Sequence, residues 1–238
     1  SLSSDGTEVA IGAYANDGNG ADSGHVRVYE WNGTAWVQKG SDIDGEAAGD
    51  QSGWSVSLSS DGTEIAIGAY ANDGSADNAG HVRVYEWNGS AWVQKGSDID
   101  GEAAGDSSGV SVSLSSDGTE IAIGAEGNDG AGSVAGHVRV YQYDGVTGDL
   151  DGINGWTQKG GDLDGEAAGD YSGFSVSLSS DGTEVAIGAY ANDGSADNAG
   201  HVRVYSITTS TPAAPAAPRV PGQVPPWPEA IPNVDGTV

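Results

Sequence analysis

The stretch Ser57-Leu58-Ser59-Ser60-Asp61-Gly62-Thr63-Glu64 decides the fold of this chain, because the chain contains it four times. The other copies occupy residues 1–8, 113–120 and 177–184, so successive copies start 56, 56 and 64 residues apart. The last spacing is longer because the third unit carries an insertion. A repeat of this length indicates one supersecondary unit copied side by side, with each unit burying its apolar faces against its neighbours.

Each complete unit contains four short runs in which bulky apolar residues alternate with small or polar ones. In the second unit these runs cover residues 54–59, 65–69, 81–85 and 91–94. An Asp-Gly pair follows the first run and an Asn-Gly pair follows the third. Alternation with a period of two, bounded by such turns, is typical of β-hairpins. We therefore predict a four-stranded antiparallel sheet per unit and name its strands A to D in chain order.

The faces of these strands predict how the sheets pack. Strands A and B each have one bulky face and one face of Ser, Ala and Gly. A bulky face against a slim one lets neighbouring sheets interdigitate, and sheets stacked around an axis form a β-propeller. The sequence thus predicts an all-β fold, a β-propeller of about four such blades over residues 1–206. The predicted units lie near residues 1–53, 54–109, 110–173 and 174–206.

Two motifs in these strands carry a resemblance to a known family. Strand A opens with Gly53-Trp54-Ser55-Val56 or Gly173-Phe174-Ser175-Val176, and strand B closes with Ile67-Gly68-Ala69 or Ile187-Gly188-Ala189. Over residues 1–206 the chain resembles the FG-GAP repeats of integrin α-subunit propellers and their bacterial and algal relatives. Tyr or Glu replaces the final Pro of the family name. The A–B connection lacks the acidic ligands of the family's calcium loop, so that site is not transferred to this chain.

The number of blades in the ring stays open at this stage. Residues 1–206 supply about fifteen strands, whereas a closed four-bladed ring needs a sixteenth. The chain end, sequence absent here or a neighbouring molecule could supply it. A larger ring with further blades is the other interpretation.

Residues 207–238 form a separate, Pro-rich segment. All eight Pro follow residue 211, and four of them recur at every third position, from Pro212 to Pro221. Polyproline II has three residues per turn, so we predict an extended tail of this kind. A flexible linker, an arm that docks on another protomer and a glycosylated stalk are the three interpretations of it.

The charge of the chain restricts its partners. Lys and Arg number 8 and Asp and Glu 35, which gives a formal net charge of −27. Such a surface repels nucleic acid and anionic lipid, so we expect neither nucleic-acid binding nor membrane insertion. Cys is absent, which excludes disulfides and thiolate metal sites. Met is absent even at position 1, so we interpret the chain as a processed or partial product.

The loop between strand D and the next strand A is the predicted metal site. It reads Asp-x-Asp-Gly-Glu-Ala-Ala-Gly-Asp in all three copies. Closely spaced carboxylates suit a hard cation, and calcium tolerates irregular loops. Solvated acids or turn-stabilising acids are the competing interpretation. The candidate ligands are Asp42, Asp44, Glu46 and Asp50; Asp98, Asp100, Glu102 and Asp106; and Asp162, Asp164, Glu166 and Asp170.

Other candidate residues repeat in every unit or in most of them. His25, His81, His137 and His201 each begin strand C, where we expect structural pairing with nearby acids rather than catalysis. Asn32 and Asn88 begin N-glycosylation sequons, although Asn-Gly is also a preferred hairpin turn.

Symmetry argues against an enzyme, because catalytic carboxylates need different environments. We predict a non-enzymatic, extracellular or cell-surface protein for adhesion or structural assembly. Its protein partner, or a second copy, would attach through the tail and a blade edge, as in a filament. The alternative is a carbohydrate-binding or glycan-hydrolysing propeller, with its site near residues 126–155.

Overall fold

The fold is known from a computed structural model, which describes residues 1–146 and 154–207. Within these ranges the chain forms seventeen β-strands and no helix, which confirms the all-β prediction. The tail at 208–238 and part of the third-unit insertion, 147–153, lie outside the described residues. The predicted polyproline conformation of the tail therefore falls on residues that the structure does not describe.

The strands form four antiparallel sheets, one per repeat. Sheet 1 contains β1 (Glu8–Ala13), β2 (His25–Trp31), β3 (Trp36–Gln38) and β4 (Ile43–Asp44). Sheet 2 contains β5 (Ser55–Leu58), β6 (Glu64–Ala69), β7 (His81–Trp87), β8 (Trp92–Gln94) and β9 (Ile99–Asp100). Sheet 3 contains β10 (Ser111–Leu114), β11 (Glu120–Ala125), β12 (His137–Tyr143), β13 (Trp156–Gln158) and β14 (Leu163–Asp164). Sheet 4 contains β15 (Ser172–Leu178), β16 (Glu184–Ala189) and β17 (His201–Ser206).

Strand D differs from its prediction as a single run. It is split into two short strands that pair with the same strand C; β8 and β9, for example, both pair with β7. The interruption contains Gly96, whose φ of +79° no ordinary strand residue adopts. Consequently Asp44, Asp100 and Asp164, which we expected in the connecting loop, lie in the second short strand.

The motif of the opening stretch forms the turn between strands A and B. The Asp61 carboxylate accepts hydrogen bonds from the Thr63 amide at 3.0 Å, the Thr63 hydroxyl at 2.7 Å and the Ser59 hydroxyl at 2.8 Å. Gly62 completes the turn with a φ of +67°. Each residue type in the motif therefore has a local reason to be there, which is why the sequence repeats it.

Consecutive sheets pack face to face. We call the side of a sheet that meets the next repeat its leading face and the opposite side its trailing face. Ala10, Val26 and Val28 of the leading face of sheet 1 pack against Leu58, Ile65, Ile67 and Tyr85 of the trailing face of sheet 2. Equivalent side chains form the other two cores, between sheets 2 and 3 and between sheets 3 and 4. This is the radial packing of blades in a propeller.

Buried polar contacts connect the outer strands of the sheets. The Lys95 ammonium donates to the Glu64 carboxylate at 2.5 Å within sheet 2 and to the carbonyl of Gly118 in sheet 3 at 3.3 Å. Trp156 is fully buried, and its indole donates to the carbonyl of Lys95 at 2.9 Å. These contacts fix the order and spacing of the sheets. None of the described residues belongs to a helix that could cross a lipid bilayer.

Candidate functional site at the blade junctions

The predicted acidic loops lie where two sheets meet, at the end of the blades that also carries the B–C loops. One acid in each loop has a local structural role. Asp106 is almost fully buried, and its carboxylate accepts from the Ala103 amide at 3.0 Å and from the Asn128 side chain at 3.1 Å. The equivalent Asp50 and Asp170 accept from Ala47 and Ala167 in the same way. These three acids stabilise turns, and their role as metal ligands stays a prediction.

The remaining acids meet the histidine that begins strand C. At the junction of sheets 1 and 2, the Nδ1 atom of His81 lies 3.9 Å from Glu46 Oε2 of the preceding loop and 3.9 Å from Asp98 Oδ2 of its own unit. Arg83 donates to the carbonyl of Asp44 at 2.8 Å, and its Nη1 is 3.5 Å from Glu46. A buried imidazole thus faces two carboxylates that come from different repeats.

A histidine that begins strand C also meets carboxylates at the next two junctions. His137 Nδ1 lies 3.9 Å from Glu102, and Asp162 completes that group. At the junction of sheets 3 and 4, His201 lies 3.6 Å from Glu166. Sheet 1 has no preceding repeat in this chain, and its His25 groups with Asp42 and Asp44 instead. In the groups of His25, His81 and His137, each of which has two acids, one ligand atom per residue lies within 4.8 Å of the others.

Burial and charge set the protonation of these groups. Burial is the main cause that lowers the pKa of His81 to about 4, which leaves a neutral imidazole at pH 7. Burial also raises the pKa of Glu46, and nearby Asp98 adds to this. In sheet 1 the hydrogen bond from Arg27 is the main cause that lowers the pKa of Asp42 to about 2. A neutral imidazole beside carboxylates offers lone pairs to a cation.

The first of these junctions opens into a groove of about 480 Å³. It is lined by Glu46, Gln94, Asp98 and Asp100 together with Gly96 and Ser97. A hydrated divalent cation would fit this groove, and the walls of the groove carry carboxylates. The chemistry that the groove supports is the binding of cations.

The structure places the predicted metal ligands in several different settings. Glu46, Asp98, Glu102 and Asp162 converge at junctions with a histidine, and Asp42 and Asp44 do so within sheet 1. Asp100 lines the groove, Glu166 contacts His201, and Asp50, Asp106 and Asp170 cap turns. Asp164 is exposed, and its carbonyl accepts from Arg203 at 2.7 Å. The sequence spacing did not link the histidine to the acidic loop, since the two are brought together by strand pairing and sheet stacking.

A row of exposed aromatic rings lies at the same end of the blades. The Trp54 ring is 4.9 Å from that of Tyr14 and 4.8 Å from that of Tyr70, measured between centroids. In sheet 4 the Phe174 and Tyr190 rings are 4.8 Å apart. We call these side chains the aromatic row. Sheet 3 interrupts it, because Val110 and Glu126 stand where other repeats have aromatic residues.

Glu126 is the unusual carboxyl of this end. Burial raises its pKa, and its buried Oε2 atom has no hydrogen-bond partner among the described residues. The charge of Glu126 also contributes to raising the pKa of Tyr190, after burial. Sequence comparison of the repeats singles out this position, but only the structure shows that its carboxyl is buried.

The predicted glycosylation residues lie in exposed hairpin turns. The Asn32 side-chain oxygen accepts from the amides of Thr34 and Ala35, both at 3.0 Å. Asn88 forms the same contacts with Ser90 and Ala91. The Asn-Gly pairs thus have a clear turn role, and glycosylation at Asn32 and Asn88 stays a prediction.

The comparisons with known proteins agree with this architecture. Residues 40–85, which contain the first junction loop and strands A to C of sheet 2, match the model of the FG-GAP repeat family. The resemblance is thereby confirmed for this repeat, and the chain is a propeller repeat protein. No curated protein matches the chain at a significant level.

Solved structures show the fold. A protein named as a 6-phosphogluconolactonase from Bacteroides uniformis has a TM-score of 0.53 and 10% identity, covering 87% of this chain and 49% of its own. The hydrazine synthase of Kuenenia stuttgartiensis has a TM-score of 0.52 and 16% identity, covering 87% of this chain and 58% of its own. This chain therefore spans only about half of the length of the structures it matches.

Proposed function

We propose that this propeller repeat protein is a non-enzymatic, extracellular or cell-surface module for adhesion or structural assembly. Its acidic junctions would bind divalent cations. The observation that carries the proposal is the recurrence of one group, imidazole with two carboxylates, at successive blade junctions. A repeated set of equal sites suits the binding of ions or a partner along a surface.

The same recurrence argues against catalysis at these junctions. Glu46 with Asp98 and Glu102 with Asp162 occupy equivalent positions around equivalent histidines, so neither group is set apart as a single active site. The FG-GAP match at residues 40–85 supports a repeat module of this kind.

The donor set of carboxylates and imidazole fits a divalent cation. Carboxylates such as Glu46 and Asp98 are suitable calcium ligands, in keeping with the sequence prediction. The Nδ1 atom of His81 is a donor that zinc and similar metals use and calcium does not. We therefore propose calcium held by the carboxylates and test it against zinc.

Thermal unfolding with added ions tests this proposal. We expect calcium to raise the Tm of the chelator-treated protein, and Asp98→Asn combined with Glu46→Gln to reduce that rise. Asp77→Asn is the matched control, because Asp77 is an exposed acid of the neighbouring B–C loop. An unchanged Tm with both calcium and zinc would contradict a cation site. A rise with zinc alone would replace calcium by an imidazole-binding metal.

The role of the tail in assembly is tested separately. We propose that residues 207–238 link the module to neighbouring molecules, because the Pro spacing predicts an extended arm. Sedimentation of the full chain and of a variant ending at residue 206 measures this. An unchanged assembly size without the tail would exclude the role.

A second candidate function, carbohydrate binding, rests on the aromatic row. Exposed Tyr14 and Trp54 rings in contact with each other are suitable surfaces for stacking on a sugar ring. Binding on a glycan array, lost in Trp54→Ala, would favour this function. No binding to the array would exclude it and leave the adhesion or assembly role.

A further inference from the structure

The leading face of sheet 4 is an uncovered copy of an interface that the chain buries three times. Val202 and Val204 are 68% and 65% exposed. Their equivalents in sheet 1, Val26 and Val28, are 0% and 1% exposed, because sheet 2 covers them. The side chains on sheet 4 are the same as those that bind a trailing face elsewhere in the molecule.

The trailing face of sheet 1 is uncovered in the complementary way. Leu2 is 61% exposed and Ile11 is 51% exposed. Their equivalents in sheet 2, Leu58 and Ile67, are 7% and 1% exposed against sheet 1. Within the described residues, sheet 1 thus leaves its trailing face uncovered and sheet 4 leaves its leading face uncovered.

A line of backbone hydrogen bonds across the blades is open at the same two ends. The Ser4 amide donates to the carbonyl of Ser60 at 2.8 Å, that of Ser60 to Ser116 at 2.8 Å, and that of Ser116 to Ser180 at 2.9 Å. Within the described part of the chain, no group accepts from the Ser180 amide and none donates to the Ser4 carbonyl. One end therefore offers a donor and the other an acceptor.

A second line of hydrogen bonds has the same polarity. The Leu114 amide donates to the Ser57 hydroxyl at 3.0 Å, and the Leu178 amide donates to the Ser113 hydroxyl at 2.9 Å. The next acceptor in this series is the hydroxyl of Ser177 in sheet 4. The next donor is the amide of Leu2, which has no acceptor among the described residues.

We propose that the leading face of sheet 4 binds the trailing face of sheet 1 of a second copy of this chain, head to tail. Such an interface repeats the internal junction and is heterologous, so it forms a closed ring or an open row of molecules. Two chains of four sheets each would make eight blades, and propellers have about four to eight, so a closed ring of two is the expected form. This inference goes beyond the proposed function, since it depends on neither cations nor the tail.

The arginine on the trailing face of sheet 1 does not prevent contact with a second copy. At an internal junction Arg83 donates to the carbonyl of Asp44 in the preceding sheet. The equivalent Arg27 is paired within its own sheet, where Nε and Nη2 donate to Asp42 at 2.9 and 2.8 Å. Sheet 1 can therefore accept another sheet without burying an unpaired guanidinium group. The net charge of −27 opposes association at long range, and physiological salt screens it.

Sedimentation of the full chain at about 0.15 M salt tests the proposal, because the Debye length there is about 8 Å. We expect a concentration-dependent particle of at least twice the 23.8 kDa mass of one chain. Val202→Asp and Ile11→Asp should each reduce this mass, because both side chains are exposed in a single molecule and their replacement leaves the cores intact. Val93→Asp, at an exposed position of β8, is the matched control and should leave the mass unchanged.

Mixing the two variants distinguishes a head-to-tail contact from a symmetric one. The Val202→Asp chain keeps its trailing face, and the Ile11→Asp chain keeps its leading face, so the mixture should form a one-to-one pair. Either a monomeric wild-type chain or the failure of the mixture to pair would overturn the proposal. Repeating the measurement with chelator separates it from the cation proposal, because the head-to-tail contact should persist without divalent ions.

Discussion

Glu126 shows what a single substitution does within an otherwise repeated surface. Other repeats have Tyr at this position, as in Tyr14, Tyr70 and Tyr190. A tyrosine ring continues the aromatic row, whereas Glu126 has a carboxyl there, whose Oε2 atom is buried and unpaired among the described residues. Burying an ionised group without a partner disfavours the folded state.

We predict that this cost depends on pH. The pKa of Glu126 is raised above 4.5 in the folded protein, so the unfolded chain releases this proton at a lower pH than the folded one. The contribution of Glu126 to stability is therefore lost as the pH rises from about 4.5 through the folded pKa. Glu126→Gln should raise the Tm by a few degrees at pH 7.5 and leave it nearly unchanged at pH 4.

Two further variants make this measurement specific. Glu126→Tyr restores the residue of the other repeats and should stabilise the fold at neutral pH as well. Glu86→Gln removes an exposed acid and should give little change, which controls for the loss of negative charge alone. An equal gain for Glu126→Gln at both pH values would mean that the ionised carboxyl is not the cause.

At the scale of the strands, close backbone approach explains the glycines of strand B. A Cβ atom on Gly68 would lie 2.1 Å from the carbonyl oxygen of Gly109, at the start of the next blade. The same contact recurs between Gly124 and Gly173. Such a position accepts no side chain unless the two sheets separate.

Gly68→Ala should therefore destabilise the protein by about 1–3 kcal/mol or more, the usual cost of overpacking a well-packed interior. Gly161→Ala is the matched control, because its Cβ meets nothing within 4 Å. Surface substitutions of that kind usually change stability by less than about 0.5 kcal/mol. Chemical denaturation measures both variants, and equal midpoints would contradict the close approach of the two backbones.

The strands also show how much of this molecule could be predicted from its sequence. Alternation and turn residues predicted strands B and C in every repeat and strand A in the second to fourth repeats, because a period of two and an Asp-Gly turn are local properties. The split of strand D was missed, since it depends on how Gly96 and its neighbours pair with β7. Pairing of the strand-C histidines with nearby acids was predicted, but the partner of His81 was not identified, because His81 and Glu46 are distant in sequence and are brought together only by stacking.

For the whole molecule, net negative charge adds to the forces that oppose the compact state. The 35 acidic residues exceed the 8 Lys and Arg, and the loops at one end of the blades concentrate the junction acids there. Mutual repulsion of this kind destabilises a folded protein. Packing of the three apolar junctions must outweigh it.

We therefore predict that simple salt stabilises the fold. Raising the NaCl concentration from about 0.01 to about 0.15 M shortens the Debye length from about 30 to about 8 Å, so that repulsion between acids on neighbouring blades is largely screened. The Tm should rise by several degrees, and scanning calorimetry in the presence of chelator keeps divalent ions out of the comparison. Near pH 4 the same change in salt should have a smaller effect, because part of the carboxylates are protonated there. A Tm that falls with salt at neutral pH would show that attractive ion pairs, rather than net repulsion, dominate the electrostatics of the molecule.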